Sequence, residues 1–336
     1  MTLRLSVLDQ SPIQKGGTAE QAISETVELA KLTDKLGYTR FWVSEHHNTR
    51  SLAGSTPEVL IAHLAGQTQH IRVGSGGIML PNHSALKVAE NFRMLETIFP
   101  GRIDLGMGRA PGTDRITASI LNPSNNFSEQ DFIEQLSDLQ HYLHDTAEAG
   151  TYLANIHVTP NSQSSPEQWI LSSSGQSAVF AAHFGLGFSF AHFINPIGGP
   201  QAVELYKQRF SANGNNAKPE ANAAFFAFCS EDEEKVRQQI EVMDYRFIQL
   251  ETKGKFDPVS YDDVKNAVYT PFEQERIQFN RQRLICGTPD QLKIRLEQLA
   301  KDYKVNELIL ANITLDFKDR LRSYELLAEV FELKQH

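Results

Sequence analysis

Four short stretches of the chain carry side chains suited to chemistry. The run Ser172-Ser173-Ser174-Gly175-Gln176-Ser177 places hydroxyls and free backbone N–H groups where an apolar run gives way to a helical one. Such groups converge readily on a phosphate, although a plain cluster of N-cap serines has the same sequence. Arg109 offers a permanent positive charge and a donor fork suited to a phosphate, or equally to a surface ion pair. In Gly74-Ser75-Gly76-Gly77 the lack of side chains is poor for strand packing, so either something flat lies against that backbone or the strand bulges. Glu45-His46-His47 closes another apolar run, and if a strand continues through the two histidines their rings point to opposite sides. A neutral imidazole there accepts a proton or hydrogen-bonds an oxygen; a satisfied core histidine is the ordinary alternative.

These groups are far apart in sequence and need a scaffold that gathers them. Short β-branched and apolar runs alternate with longer amphipathic stretches, the pattern of βα units feeding a parallel sheet. Strands are expected at 3–8, 40–44, 71–80, 103–107, 169–172, 188–191, 223–228 and 307–311. Eight is the number that closes an α/β barrel of the (β/α)8, or TIM-barrel, type, and right-handed crossovers carry every strand's C-terminal end to one rim. The helices between carry caps at Thr18, Ser55/Thr56 and Ser128, the last followed by Asp131, and stops at Gly37, Pro100-Gly101 and Gly185. Two insertions interrupt the repeat. The first, 146–168, is expected to hold a short strand at Ile156 to Val158; the second, 252–283, is either a mobile lid over the rim or a disordered surface loop.

On this scaffold the rim receives Asp9-Gln10-Ser11, Glu45-His46-His47, Gly76-Gly77, Gly108-Arg109, Ser172 to Ser177, His192, Cys229-Ser230 and Asn312. His63, His70, His141, His144 and His183 fall within helices or at their ends, where solvated or capping roles are expected. Phe190 and Phe193 stand near the rim as an apolar pocket or as core.

Composition narrows the class. The 336 residues are 40% apolar and 22% charged, enough for a sizeable core and consistent with one domain spanning 1–336. A net charge of −9 argues against a broad nucleic-acid surface, and no apolar run approaches the roughly 18 residues of a membrane span. A cytoplasmic protein is therefore expected. Cys229 and Cys286 form no ligand pair with neighbouring histidines, no metal is expected, and both read as reduced thiols. No G-x-G-x-x-G turn opens a helix after a strand, which leaves no nicotinamide-dinucleotide domain. A metal-dependent barrel hydrolase would want an H-x-H pair where this chain has Asp9-Gln10-Ser11, and a Schiff-base aldolase would want a strand-end lysine.

Trp42-Val43-Ser44-Glu45-His46-His47, Gly77-Ile78-Met79-Leu80-Pro81, Gly101-Arg102-Ile103-Asp104-Leu105-Gly106, Gly108-Arg109 and Gly287-Thr288-Pro289, in this order and spacing, resemble the bacterial luciferase-like flavin monooxygenases. The likeness is strongest over residues 3–115 and weakens through the two insertions. Membership would imply reduced flavin mononucleotide (FMN) at the C-terminal rim, used with molecular oxygen on a small, apolar organic substrate. Ser174 and Ser177 match phosphate-contacting hydroxyls, Arg109 the phosphate arginine, and Gly76 and Gly77 the small residues behind the isoalloxazine ring. His46 matches the catalytic histidine of the luciferase alpha subunit, and His192 the place of a tryptophan near the flavin.

Two departures stand out: Gly108 replaces that subunit's reactive cysteine, and Ser173, also beside the phosphate, replaces a glutamate, so luminescence is not implied. The resemblance further implies a separate NAD(P)H:flavin reductase and a homodimer formed through the second and third helices, where Ala62, Ala65 and Gly66 offer small packing residues. A deazaflavin-dependent dehydrogenase on the same barrel, or a non-catalytic flavin-binding protein, are the competing readings.

Overall fold

The computed structural model describes residues 3–147, 149–213, 216–255 and 257–336. The chain runs β1 (Arg4–Asp9), α1 (Ala19–Lys35), β2 (Arg40–Val43), α2 (Pro57–Gln67), β3 (Arg72–Met79), α3 (Ala85–Ile98) and β4 (Ile103–Gly108). It continues through α4 (Arg115–Leu121), α5 (Glu129–His144), β5 (Glu167–Ser172), α6 (Gln176–His183), β6 (Gly187–Ala191), α7 (Gly199–Arg209) and β7 (Ala221–Cys229). The last part is α8 (Glu233–Lys253), α9 (Tyr261–Val264), α10 (Pro271–Asn280), β8 (Leu284–Gly287), α11 (Pro289–Tyr303), β9 (Glu307–Ala311) and α12 (Phe317–Val330).

Strands β1 to β7 pair in order and in parallel, and β9 joins β7 back to β1, closing a (β/α)8 barrel. All eight strands expected from the sequence are present. The ninth, β8, was not expected: it pairs only with the C-terminal half of β7, Phe226 opposite Leu284 through Cys229 opposite Gly287, and so extends the wall beyond the closed ring. Its four residues are too few for periodicity to distinguish from the loop before Thr288-Pro289.

Local chemistry sets the element ends. Thr18 accepts a hydrogen bond from the Gln21 N–H, and Ser128 with Asp131 forms a full capping box. Gly37 ends α1 at φ +84°, where a Cβ would collide with the Lys334 carbonyl.

The insertions differ from expectation. Ile156 to Val158 is not a strand: Val158 is buried, and its carbonyl is taken by the Arg93 guanidinium (3.1 Å) instead of a neighbouring strand. Over 252–283 the described residues are the end of α8, then α9 and α10, rather than an unstructured loop. Arg276 and Asn280 both bind Glu251 (2.7 and 2.8 Å), Arg281 binds Asp244 (2.7 Å), and Lys15 reaches Asp263 (2.6 Å).

Alternation along the strands sorts the core into two shells. Outward residues pack against the helices. Inward residues, among them Leu8, Trp42, Trp169, Phe226 and Ile309, fill the barrel and meet Met243 and Phe247 of α8. Below them, at the strand starts, lies a charged floor. Arg40 binds Glu307 (2.6 Å) and Asp104 (2.8 Å), Arg72 binds Asp104 (2.6 Å), and the Trp42 indole N–H donates to Asp104 (2.8 Å). Arg40, Asp104 and Glu307 are all buried, so each charge depends on the others for the solvation that water would supply.

Candidate active site

The rim opposite that floor is organised by Glu45. Its carboxylate is fully buried and accepts from the Met79 N–H (2.8 Å), Asn82 Nδ2 (3.0 Å), His83 Nε2 (2.9 Å) and His47 Nε2 (2.8 Å). Burial would raise its pKa, but His83, His47 and the Met79 N–H more than offset this and hold it below the ordinary value. For His83 the balance is reciprocal: burial lowers its pKa, and Glu45 raises it further than burial lowers it.

His46 points elsewhere. Its Nε2 lies 3.2 Å from the side-chain amide nitrogen of Gln10, at the end of β1. With that amide as donor, Nε2 carries the lone pair. Burial pushes the His46 pKa down, with the Gly112 backbone and the Glu45 charge opposing only part of the effect, so the imidazole is a neutral acceptor near pH 7. The two adjacent histidines thus serve different partners, as alternation implies, and Gln10 emerges as a site residue to which the sequence alone assigned no role.

Gly76 and Gly77 sit at a register shift between β3 and β4, and the peptide joining them is cis. A Cβ on Gly76 would approach Leu8 and Trp42 to 2.9 Å, and one on Gly77 would approach the Gly106 carbonyl to 2.7 Å. The bulge alternative therefore accounts for both glycines: the barrel's own packing excludes side chains there.

Arg109, beyond β4, meets Glu129 Oε2 at 3.2 Å, and the Gln176 side chain at the start of α6 donates to the same oxygen. The ends of β4 and β5 and the start of α5 thereby converge on one carboxylate. The serine turn is held internally. Ser172 Oγ donates to the Ser174 carbonyl (2.9 Å) and accepts from the Ser174 N–H (3.1 Å), while Asn195 Nδ2 donates to the Ser173 carbonyl (2.9 Å). Helix α6 starts at Gly175 without a side-chain cap, Ser177 is buried in its first turn, and a Cβ on Gly175 would meet nothing within 4 Å. Uncapped N–H groups, a hydroxyl, open space and a guanidinium make up the donor set of an anion site.

His192 is placed differently from the others. Its Nδ1 accepts from the Tyr303 hydroxyl (2.7 Å) and its Nε2 donates to the Gln282 carbonyl (2.9 Å), so both ring nitrogens are engaged within the protein. Phe190 is fully buried against Tyr303 in the outer shell, which makes it core. Phe193 instead faces Phe226 (5.2 Å) on the inner shell, Phe226 neighbours Phe247 (6.0 Å), and together they wall one side of the mouth. Two surface hollows of about 560 Å³ each open away from this rim, one by Leu3, Lys301 and Val305 and the other by Leu32, Lys35 and Leu333. Neither touches a rim residue, and that face of a barrel serves stability.

The sequence profile of the luciferase-like monooxygenases matches residues 3–304. The chain belongs to that family. It is 47% identical to the Bacillus subtilis protein YwcH, over 97% of this chain and 98% of the relative. It is 34% identical to the N-acetyl-S-alkylcysteine monooxygenase of the same organism, again over 97% and 98%. Among solved structures, apo-MsnO8 superposes with a TM-score of 0.91 at 33% identity, covering 99% of this chain and 100% of the other. More distant structures share the fold alone, including an oxygenating constituent of 3,6-diketocamphane monooxygenase in complex with FMN (18% identity, TM-score 0.71) and an F420-dependent secondary alcohol dehydrogenase (13%, 0.71). Membership supports an oxidoreductase of the monooxygenase kind.

Proposed function

We propose that this luciferase-like monooxygenase binds reduced FMN at the C-terminal rim and uses it with O2 to oxidise a small, apolar organic substrate, a separate NAD(P)H:flavin reductase supplying the flavin. The observation that carries the reading is the convergence of Arg109 and the first turn of α6 on one oxygen of Glu129. An anion already fits between them. Arg109, Ser173, Ser174, Ser177 and the α6 N–H groups are the residues that would hold the FMN phosphate, in place of that carboxylate.

Reduced FMN supplies the electrons that activate oxygen. The chain's own residues do the rest. Gly76 and Gly77 would leave bare backbone for the ring, and the inner apolar shell would keep water away from it. His46, the proposed catalytic residue, would take a proton at Nε2 when the Gln10 amide, which donates to that lone pair and holds the ring in place, gives it up. Glu45 fixes the 79–83 turn that flanks it. His192, with neither nitrogen free, borders the flavin site as a buttress between β6 and Tyr303.

We assign the whole of 1–336 to one barrel domain. A homodimer is assigned to α2 and α3, where Val59, Met94 and Ile98 are exposed. Cytoplasmic residence is part of the same reading; among the described residues no helix is long and apolar enough to cross a membrane.

Titrating the protein with FMN and with riboflavin, oxidised and anaerobically reduced, tests the reading by flavin fluorescence and absorbance. The expected result is tighter binding of FMN than of riboflavin and oxygen consumption that depends on reduced FMN. Equal affinity for both, or no binding at saturating flavin, overturns it.

A further inference from the structure

Arg283 stands where the second insertion enters β8, against the aromatic wall of the mouth. Its guanidinium carbon lies over the Phe247 ring, 4.2 Å from the centroid. Nε donates to the Phe193 carbonyl (2.7 Å) and Nη1 to Asn280 Oδ1 (3.0 Å). Two of its three nitrogens and one of its faces are therefore fixed. Nη2 has no partner among the described residues, and it is not among the atoms sealed from solvent.

What Arg283 lacks is a counter-charge. Only 9% of the residue is exposed, yet no described carboxylate lies within 4.0 Å of it. The acid it senses, Glu251, is occupied by Arg276 at 2.7 Å and by Asn280 at 2.8 Å, so Asn280 stands between that carboxylate and Arg283. Burial lowers the Arg283 pKa to about 10, with Glu251 opposing in part and Arg276 adding to the fall. A nearly buried guanidinium without an ion pair is an expensive feature, and one whose remaining nitrogen is oriented by two hydrogen bonds and a ring is suited to receive an anion.

We infer that Arg283 is the recognition site for a carboxylate on the organic substrate, whose apolar part lies along Phe193, Phe226 and Phe247. The inference rests on the flavin reading for its location and adds the substrate's chemical class: a small apolar carboxylic acid. Phosphate of the cofactor is not its ligand, since Arg109 and α6 serve that group from the β4–β5 side of the rim.

The test uses small apolar carboxylic acids, each paired with its methyl ester of near-equal shape and no charge. Binding to the full-length protein, with and without FMN, is followed by thermal shift and calorimetry. Acids are expected to bind at least tenfold more tightly than their esters. Arg283→Gln should erase that preference and Arg283→Lys restore part of it, with FMN affinity unchanged within about twofold. Esters equal to acids, no acid bound, or a preference that survives in Arg283→Gln overturns the inference. The acid–ester comparison on the unmodified protein decides the matter even if the variants fail to fold. Because FMN binding is read separately, failure of the carboxylate site leaves the flavin reading intact, and the converse holds as well.

Discussion

Gln10 Nε2 lies 3.2 Å from His46 Nε2, tying the end of the first strand to the end of the second across the rim. The amide donates to the lone pair that a base would use, so it stabilises the neutral ring and fixes its direction. A neutral base of this kind loses activity only when acid protonates it.

The pH profile follows from that relationship. With its pKa pushed below 6.5 by burial, His46 stays neutral down to slightly acid conditions, and the acid limb of kcat is expected below pH 6.5. Gln10→Ala removes the donor that favours the neutral ring and should move the limb upward. His46→Ala should lower kcat by roughly 10² to 10⁴-fold while leaving the Kd for FMN within a few fold. An unmoved limb in Gln10→Ala would remove Gln10 from the site.

Glu129 makes a second, opposite prediction. In the proposed complex the phosphate displaces this carboxylate from Arg109, so Glu129→Gln should tighten FMN binding several-fold and leave riboflavin unaffected. Arg109→Ala should weaken FMN by about 1.5–3 kcal/mol, the range for a hydrogen bond to a charged group, again with riboflavin unchanged. Fluorescence titration of the two flavins reads both effects.

The Glu45–His83 pair predicts a stability window. The Glu45 pKa is lowered, so its contribution is present above 4.5 and lost as pH falls through the depressed folded value. The His83 pKa is raised, so its contribution is full below 6.5 and lost as pH rises through the elevated folded value. Their joint contribution is therefore largest between pH 4.5 and 6.5. Thermal melts across pH should show the alkaline limb shrinking in His83→Ala, and Glu45→Ala should cost about 3 kcal/mol by stranding buried donors.

At the other end of the barrel, Arg40→Met leaves Asp104 and Glu307 buried with less compensation and should destabilise the protein by ~3–5 kcal/mol in urea. FMN affinity in the refolded variant should be unchanged, because among the described residues no hydrogen bond or ion pair joins Arg40 to a rim residue.

The barrel was legible because its strands are apolar runs at even spacing, and each rim residue could be read from the position where a run ended. His46 was legible for that reason. Its partner was not: Gln10 and His46 are 36 residues apart, and only the closed geometry makes them neighbours. The same holds for Glu129, a helix-start acid in sequence that becomes the counter-charge of Arg109 in space. His192 and Phe190 both sit at a strand end, and both are engaged by Tyr303; nothing local to residues 188–193 announces a tyrosine more than a hundred positions later, so the core alternative left open for Phe190 is decided only in space. For the glycines of β3 the sequence leaves a flat ligand and a strand bulge both open, and only the register shift, with Leu8, Trp42 and Gly106 as tightest neighbours, shows that a bulge is present.

The buried charges of Arg40, Asp104 and Glu307 have a further effect on how the molecule is used. They stopper the cylinder at its base, which makes it a cup instead of a pipe. Whatever the rim takes in must come out by the way it entered, because the packed inner shell and the charged base together leave no second exit among the described residues.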